Sequence, residues 1–155
     1  MNGFGSNVAG SGDAVMTRIS GSVYPAGAGL YGNGVITLTD STIESGLTSL
    51  EFQGIINNFD AAPFGLALSY NGGSQSLIPS LLTFTSTGTV ADYYHYSWDL
   101  ANIAEAIDSY AITLTLGFTQ SLAFQVDQVA VPEPTTLALG AVGLCGLIVR
   151  HRRRS

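Results

Sequence analysis

Residues 111–119 read Ala-Ile-Thr-Leu-Thr-Leu-Gly-Phe-Thr, and their pattern sets the fold class. Apolar side chains occupy every second position, at Ile112, Leu114, Leu116 and Phe118. The positions between them include Thr113, Thr115 and Thr119. A repeat of two residues is the period of a β-strand that buries one face. The stretch therefore predicts a strand with its apolar side in the core and its threonines outside.

Further strands are predicted on both sides of this one. They cover residues 14–22, 35–39, 50–56, 65–70, 81–85, 93–98 and 121–131. Turn-forming residues separate them, and Asn71-Gly72-Gly73 is a strong hairpin-turn signal. We expect the glycine-rich stretch from Tyr24 to Gly34 to be a loop. About eight short strands without a longer internal repeat predict an all-β domain, a β-sandwich of jelly-roll-like form.

One short helix is predicted after the strand 93–98. Asp99 stands where a helix N-cap residue is favoured. The apolar residues that follow recur at helical spacing and are Leu100, Ile103, Ala104 and Ile107. We expect this helix to cover one open end of the sheet core.

The charge of the chain excludes one class of partner. The 155 residues include five basic ones, all arginine, and four of the five follow Pro134. The part before Pro132 therefore sets Arg18 against ten acidic residues, a formal charge of −9. Such a surface repels phosphate backbones, so nucleic-acid binding is not expected.

The C-terminal stretch from Val131 to Ser155 has three consecutive parts. The first is Pro132-Glu133-Pro134, in which two prolines fix φ and remove backbone donors, so the chain stays extended. The second is an uncharged apolar run from Leu137 to Val149, interrupted by Gly140, Gly143 and Gly146. The third is a basic end with Arg150, Arg152, Arg153 and Arg154. An apolar run that ends in arginines predicts a single transmembrane helix with a cytoplasmic C-terminus.

The apolar segment is short for a permanent anchor. Residues 135–149 number 15, and as a helix they would span about 22 Å. A bilayer core is about 30 Å thick. Each glycine also weakens such a helix by roughly 1 kcal/mol in water. A short, weak helix behind a stiff polar motif suits presentation to a membrane enzyme.

The order of these three parts resembles the PEP-CTERM sorting signal, which bacteria that make exopolysaccharide append to many exported proteins. The resemblance covers Pro132 to Ser155. It implies recognition by an exosortase-like membrane enzyme, which is thought to cut near the Pro-Glu-Pro motif. Two features depart from it: His151 interrupts the basic end, and Cys145, which we interpret as a small apolar filler, lies in the apolar run. A looser resemblance links the stretch from Trp98 to Gln128 with the ends of many PEP-CTERM proteins whose bodies are similar to β-sandwiches.

The resemblance implies two parts with different fates, an exported domain at residues 1–131 and a sorting signal at 132–155. Before processing, we expect a single-pass protein of the cell inner membrane; after it, a protein of the cell surface or extracellular matrix. The first six residues lack the basic region and apolar core of an export signal. We therefore expect the natural start to lie elsewhere. A protein that is not exported and an ordinary tail anchor are the alternatives.

No catalytic or metal-binding pattern stands out before Pro132. His95 is the only histidine there, and no Gly-x-Ser-x-Gly motif accompanies it. Candidates for paired-carboxylate chemistry are Glu44, Glu51, Asp60 and Asp92. Candidates for a structural calcium are Asp13, Asp40, Asp60, Asp92 and Asp127, and none forms an Asp-x-Asp-x-Asp loop. The single cysteine lies in the tail, so a disulfide within the domain is excluded. We predict a protein that is not an enzyme and that needs no metal or cofactor.

The aromatic strand 93–98 carries the remaining hypothesis. Tyr94, Tyr96 and Trp98 share one face by strand parity, and His95 lies on the other. Aromatic rings bind sugars by stacking on the ring face, although core packing is the other interpretation of such a face. We therefore predict a structural or binding protein of the cell surface and biofilm matrix, with exopolysaccharide as a further partner. The alternative is a carbohydrate-binding module that uses this aromatic face.

Overall fold

The computed structural model describes residues 14–26, 29–58, 65–86 and 92–131. These residues form seven strands and no helix. The strands are β1 Val15–Ala26, β2 Gly29–Asp40, β3 Leu47–Asn58, β4 Gly65–Tyr70, β5 Ser80–Ser86, β6 Asp92–Asp99 and β7 Tyr110–Ala130.

Strand β7 is the centre of the sheet, whose strands follow the order β1-β2-β7-β3-β6-β5. β7 is 21 residues long, the longest of the described strands. β2 pairs along one of its edges from Tyr110 to Ser121. Along the other edge, β3 pairs with residues 119–130 and β4 with residues 110–115. All these pairs are antiparallel. The single strand β7 therefore holds β2, β3 and β4 in one sheet.

Two bulges bend β7 in its middle. Residues 117 and 118 lie opposite the single β2 residue Asn33, where the register with β2 shifts. A second shift, between Ile55 and Ile56 of β3, leaves residue 122 of β7 without a partner in β3. Bulges bend a strand and increase its twist. The sheet consequently curls over one face as a half-barrel.

The all-β prediction is confirmed, but the number of sheets differs from that of a sandwich. The described strands form one continuous seven-stranded sheet rather than two packed sheets. The two strands predicted at 111–119 and 121–131 are a single strand. Alternation along the sequence could not reveal this, because a bulge and a strand end interrupt the two-residue pattern in the same way.

The core lies on the face that the curled sheet encloses. β7 contributes Ile112, Leu114 and Leu116, each no more than 1 % exposed, which confirms their predicted inward orientation. The other strands add Ile36, Leu38, Leu50, Phe52, Ile56, Leu66, Leu68 and Trp98. Burial of each large apolar side chain contributes about 1.5–3 kcal/mol to the free energy of unfolding.

Leu77 connects strand β4 to strand β6. Its backbone N–H and C=O pair with Leu68 of β4, both at 2.9 Å. The same carbonyl accepts a hydrogen bond from the indole Nε1 of Trp98 in β6, also at 2.9 Å. Two strands that do not pair with each other therefore meet at one residue.

The helix predicted after Asp99 is wrong. The side chain of Asp99 does bond to the backbone as an N-cap residue would, because its Oδ1 accepts the N–H of Ala101 at 3.0 Å. Only a turn follows, closed by Ile103 N–H to the Leu100 carbonyl at 3.0 Å. The next residues bond to Asn71 instead: its amide donates to the Ala106 carbonyl at 2.7 Å, and its Oδ1 accepts Asp108 N–H at 2.8 Å. Leu100 is buried and Ile103 and Ile107 pack against the core, but from a loop, whereas Ala104 is exposed.

The loop predicted from Tyr24 to Gly34 is also wrong, because most of this stretch belongs to β1 and β2. Its glycines allow a close approach of two backbones. A Cβ on Gly32 would lie 2.2 Å from the Ser22 carbonyl oxygen of β1. The turn predicted at Asn71 is confirmed, with positive φ at both Asn71 and Gly72.

No helix within the described ranges is long and apolar enough to cross a membrane. The transmembrane segment predicted at residues 137–149 lies outside those ranges, so it stays a prediction.

Replacement of Phe52 by alanine tests the core. Phe52 is fully buried, whereas Phe84 in the edge strand β5 is 48 % exposed. We expect Phe52→Ala to lower the free energy of unfolding by about 3–5 kcal/mol. The matched variant Phe84→Ala should cost about 1 kcal/mol or less. Urea unfolding of both variants measures the difference, and equal losses would contradict this placement of the core.

Candidate functional site: the chain exit and the aromatic face

The C-terminal end of β7 is fixed to the loop before β3. Val131 donates its backbone N–H to the Gly46 carbonyl at 2.9 Å. Gly46 has a φ of +77°, and a Cβ on it would lie 2.3 Å from the Val131 carbonyl oxygen. Only glycine accepts both this φ and this close approach without strain.

Gln128 fixes the same loop through its side chain. Its Oε1 accepts the N–H of Glu44 at 2.7 Å, and its Nε2 donates to the Thr42 carbonyl at 2.9 Å. We call these two bonds, together with the Gly46–Val131 bond, the exit clasp. The clasp therefore fixes the chain as far as Val131, the residue that precedes Pro132.

A buried carboxylate supports the clasp from the core side. Asp40, 4 % exposed, accepts the Thr42 N–H at 2.7 Å. Its Oδ2 also accepts longer bonds from the Tyr110 hydroxyl at 3.4 Å and Gln128 Nε2 at 3.3 Å. Burial raises the pKa of the Tyr110 phenol far above its ordinary value of 10.0, and the Asp40 charge adds to the shift. Asp40 was a calcium candidate, but protein donors occupy both of its oxygens.

A cleft of about 690 Å³ lies beside the clasp. The loop that carries Gly46 forms one wall, and residues 100–108 form the other. Apolar side chains and three carboxylates line it: Ile43, Leu47, Leu100, Ile103, Ile107, Glu44, Glu105 and Asp108. The chain exit and the cleft therefore share one end of the sheet.

The aromatic face is only partly available to a ligand. Trp98 is 2 % exposed and belongs to the core. Tyr94 and Tyr96 are half-buried, with ring centroids 6.2 Å apart and planes 7° from parallel. Phe84 of β5 extends the row, 5.0 Å from Tyr94 and about half exposed. The sequence alone could not place Phe84 beside Tyr94, because this contact depends on the pairing of β5 with β6.

The tyrosines of this face stay protonated at physiological pH. Burial raises the pKa of Tyr94 above its ordinary 10.0, with smaller contributions from Asp92 and Tyr96. Burial likewise raises the pKa of Tyr96. The face therefore presents neutral rings, which suit stacking on uncharged sugars.

The opposite face of β3, β6 and β7 is polar. His95 Nε2 lies 2.9 Å from Glu51 Oε2. Asp127 accepts hydrogen bonds from Gln53 at 3.1 Å and from Gln125 at 2.8 Å. Glu51 and Asp127 are cross-strand partners. Two acids that are far apart in the sequence therefore lie side by side on this face.

The other sequence candidates are dispersed or lie outside the described residues. Glu44 is exposed in the clasp loop, and Asp92 begins β6. Asp13, Asp60 and the sorting and tail residues 132–155 are outside the described ranges. Within those ranges, no group of three His, Cys, Asp or Glu residues is placed to hold a metal ion.

Comparison with known families identifies the tail. Residues 130–154 match the family model of the PEP-CTERM protein-sorting motif. The recognition made from the sequence is therefore confirmed. The motif indicates an exported protein that an exosortase sorts and that is anchored in a membrane before processing. No curated protein and no solved structure matches the chain with significant similarity.

The raised pKa of Tyr110 predicts a loss of stability at high pH. Above pH 10 the unfolded chain releases the phenol proton while the folded chain retains it, so rising pH favours unfolding. This tyrosine adds a slope of up to about 1.4 kcal/mol per pH unit. We expect Tyr110→Phe to flatten the decline, measured by urea unfolding of the full-length protein from about pH 8 to about pH 12, which spans the ordinary tyrosine pKa of about 10. The exposed Tyr24→Phe is the control, and parallel curves for wild type and Tyr110→Phe would refute the assignment.

Proposed function

We propose that this protein is a structural or binding component of the cell surface or extracellular matrix, delivered there through its C-terminal signal. The observation that carries the proposal is the position of the family match. It begins at residue 130, where the last strand of the folded sheet ends. The folded domain is therefore followed directly by the sorting signal, as expected for an exported domain that this signal delivers.

The proposed sorting mechanism follows from the order of the tail. Arg150, Arg152, Arg153 and Arg154 remain on the cytoplasmic side, because arginines are retained there. The apolar run Leu137–Val149 holds the chain in the inner membrane. Pro132-Glu133-Pro134 then stands at the outer face, where an exosortase-like enzyme engages it. Processing releases the body or joins it to envelope material.

We further propose that the body is not an enzyme. Catalysis needs converging polar groups that include a nucleophile or a base free to act. Among the described residues, the His95 ring is bonded to Glu51 and to no hydroxyl. The buried Asp40 is surrounded by donors of its own structure. Both arrangements favour a structural role.

A carbohydrate-binding module is the second candidate, favoured by one observation. Tyr94 and Tyr96 are parallel neighbours, and Phe84 continues the row to the edge of the sheet. Apolar faces of sugar rings stack on such rows. In this version the ligand is exopolysaccharide, and Trp98 supports the tyrosines from the core.

The sorting proposal predicts a processed protein. We expect the mass of the protein recovered from the producing bacterium to lack close to 21 C-terminal residues, the number that follows Pro134. Pro132→Ala combined with Pro134→Ala should leave the full-length chain in the membrane fraction. Glu44→Gln, an exposed change outside the tail, should be processed normally. An unprocessed wild-type protein would refute the proposal.

The carbohydrate proposal predicts weaker binding without the tyrosine row. We expect Tyr94→Ala and Tyr96→Ala each to weaken binding to purified exopolysaccharide about two- to tenfold, measured by calorimetry. Tyr24→Ala is the matched control, an exposed tyrosine in β1. Unchanged affinity in both tyrosine variants would exclude this face as the binding site.

A further inference from the structure

One edge of the last strand is open where it approaches the sorting signal. The pairing of β7 with β2 ends at Ser121. Beyond it, residues 123–130 pair with β3 along one edge, and no described strand pairs along the other. An open strand edge presents unpaired N–H and C=O groups, which can accept an added strand.

No spacer separates this edge from the motif. The exit clasp holds Val131, and Pro132 is the next residue. A residue before proline is confined to extended backbone. Val131 is therefore extended, and the sorting motif follows it directly in the sequence.

Gly46 fixes the position of Val131 relative to the sheet. Its carbonyl bonds to Val131, and its conformation excludes a side chain at this place. Thr48 adds a second contact, from its hydroxyl to the Val129 carbonyl at 3.1 Å. Val131, the residue before the motif, is therefore held in one position relative to the sheet.

We propose that the processing enzyme recognises the open edge of residues 122–131 together with the Pro132-Glu133-Pro134 motif, and that Gly46 is the positioning residue that aligns them. The proposal rests on the sorting function proposed above. The occupant of the edge is the membrane enzyme that reads the tail, because the edge continues directly into the segment that this enzyme must bind. The enzyme adds a strand of its own to the edge and so reads the folded state of its substrate.

A spacer between edge and motif tests the proposal. Insertion of Gly-Ser-Gly-Ser between Val131 and Pro132 keeps every strand and the whole signal but abolishes their alignment. If the enzyme reads both, processing of the full-length chain in the producing cells should slow about tenfold, as expected for loss of part of a binding segment. The measurement is the ratio of processed to full-length mass over time.

The control places the same four residues between Gly72 and Gly73, in the exposed turn after β4. This variant should be processed at the wild-type rate. Processing of the Val131 spacer variant at the wild-type rate would overturn the proposal, and so would equal slowing of both variants. If even the wild type is not processed, the sorting function itself fails, which is a separate result.

A substitution at Gly46 tests the positioning role independently. Gly46→Ala should slow processing because its Cβ displaces Val131. Gly72→Ala is the matched control, since Gly72 also has a positive φ but has open space around it. Both variants place an alanine at a positive φ, so a loss in Gly46→Ala alone supports the proposal. Equal rates would show that the clasp has no part in recognition.

Discussion

The bend in β7 is the constraint on which the rest of the structure depends. This strand of 21 residues contains two bulges, and they turn it over the core. The bend lets β3 and β4 share one edge of the same strand. It also brings β4 near β6, so that Leu77 can bond to both Leu68 and Trp98.

The same strand connects the core to the tail. Its first half carries Ile112 to Leu116 into the core, and its last residue is held by Gly46 next to the sorting motif. A buried carboxylate, Asp40, is tolerated between these two regions because three donors surround it. The position of Val131, the residue before the signal, therefore depends on the folding of the whole sheet.

The two surfaces of the sheet differ in chemistry and therefore in what they can bind. One face shows neutral aromatic rings, with Tyr94 and Tyr96 parallel. The other shows acids paired with amides and a histidine, so its polar groups are largely satisfied by one another. The sugar contact of the second proposed function belongs to the first face, because satisfied polar groups gain little from a new partner.

The sequence by itself determined the all-β class, most strand positions, the inward side of β7 and the sorting signal. Each of these depends on local order: a period of two residues, a turn at Asn71, or three tail segments in succession. Only the tertiary structure decided that residues 110–130 are one bent strand, that Leu100 to Ile107 form a loop, and that Trp98 is buried while Phe84 joins the tyrosines. These features depend on pairing between residues far apart in the chain, and a single sequence does not encode pairing in any local pattern.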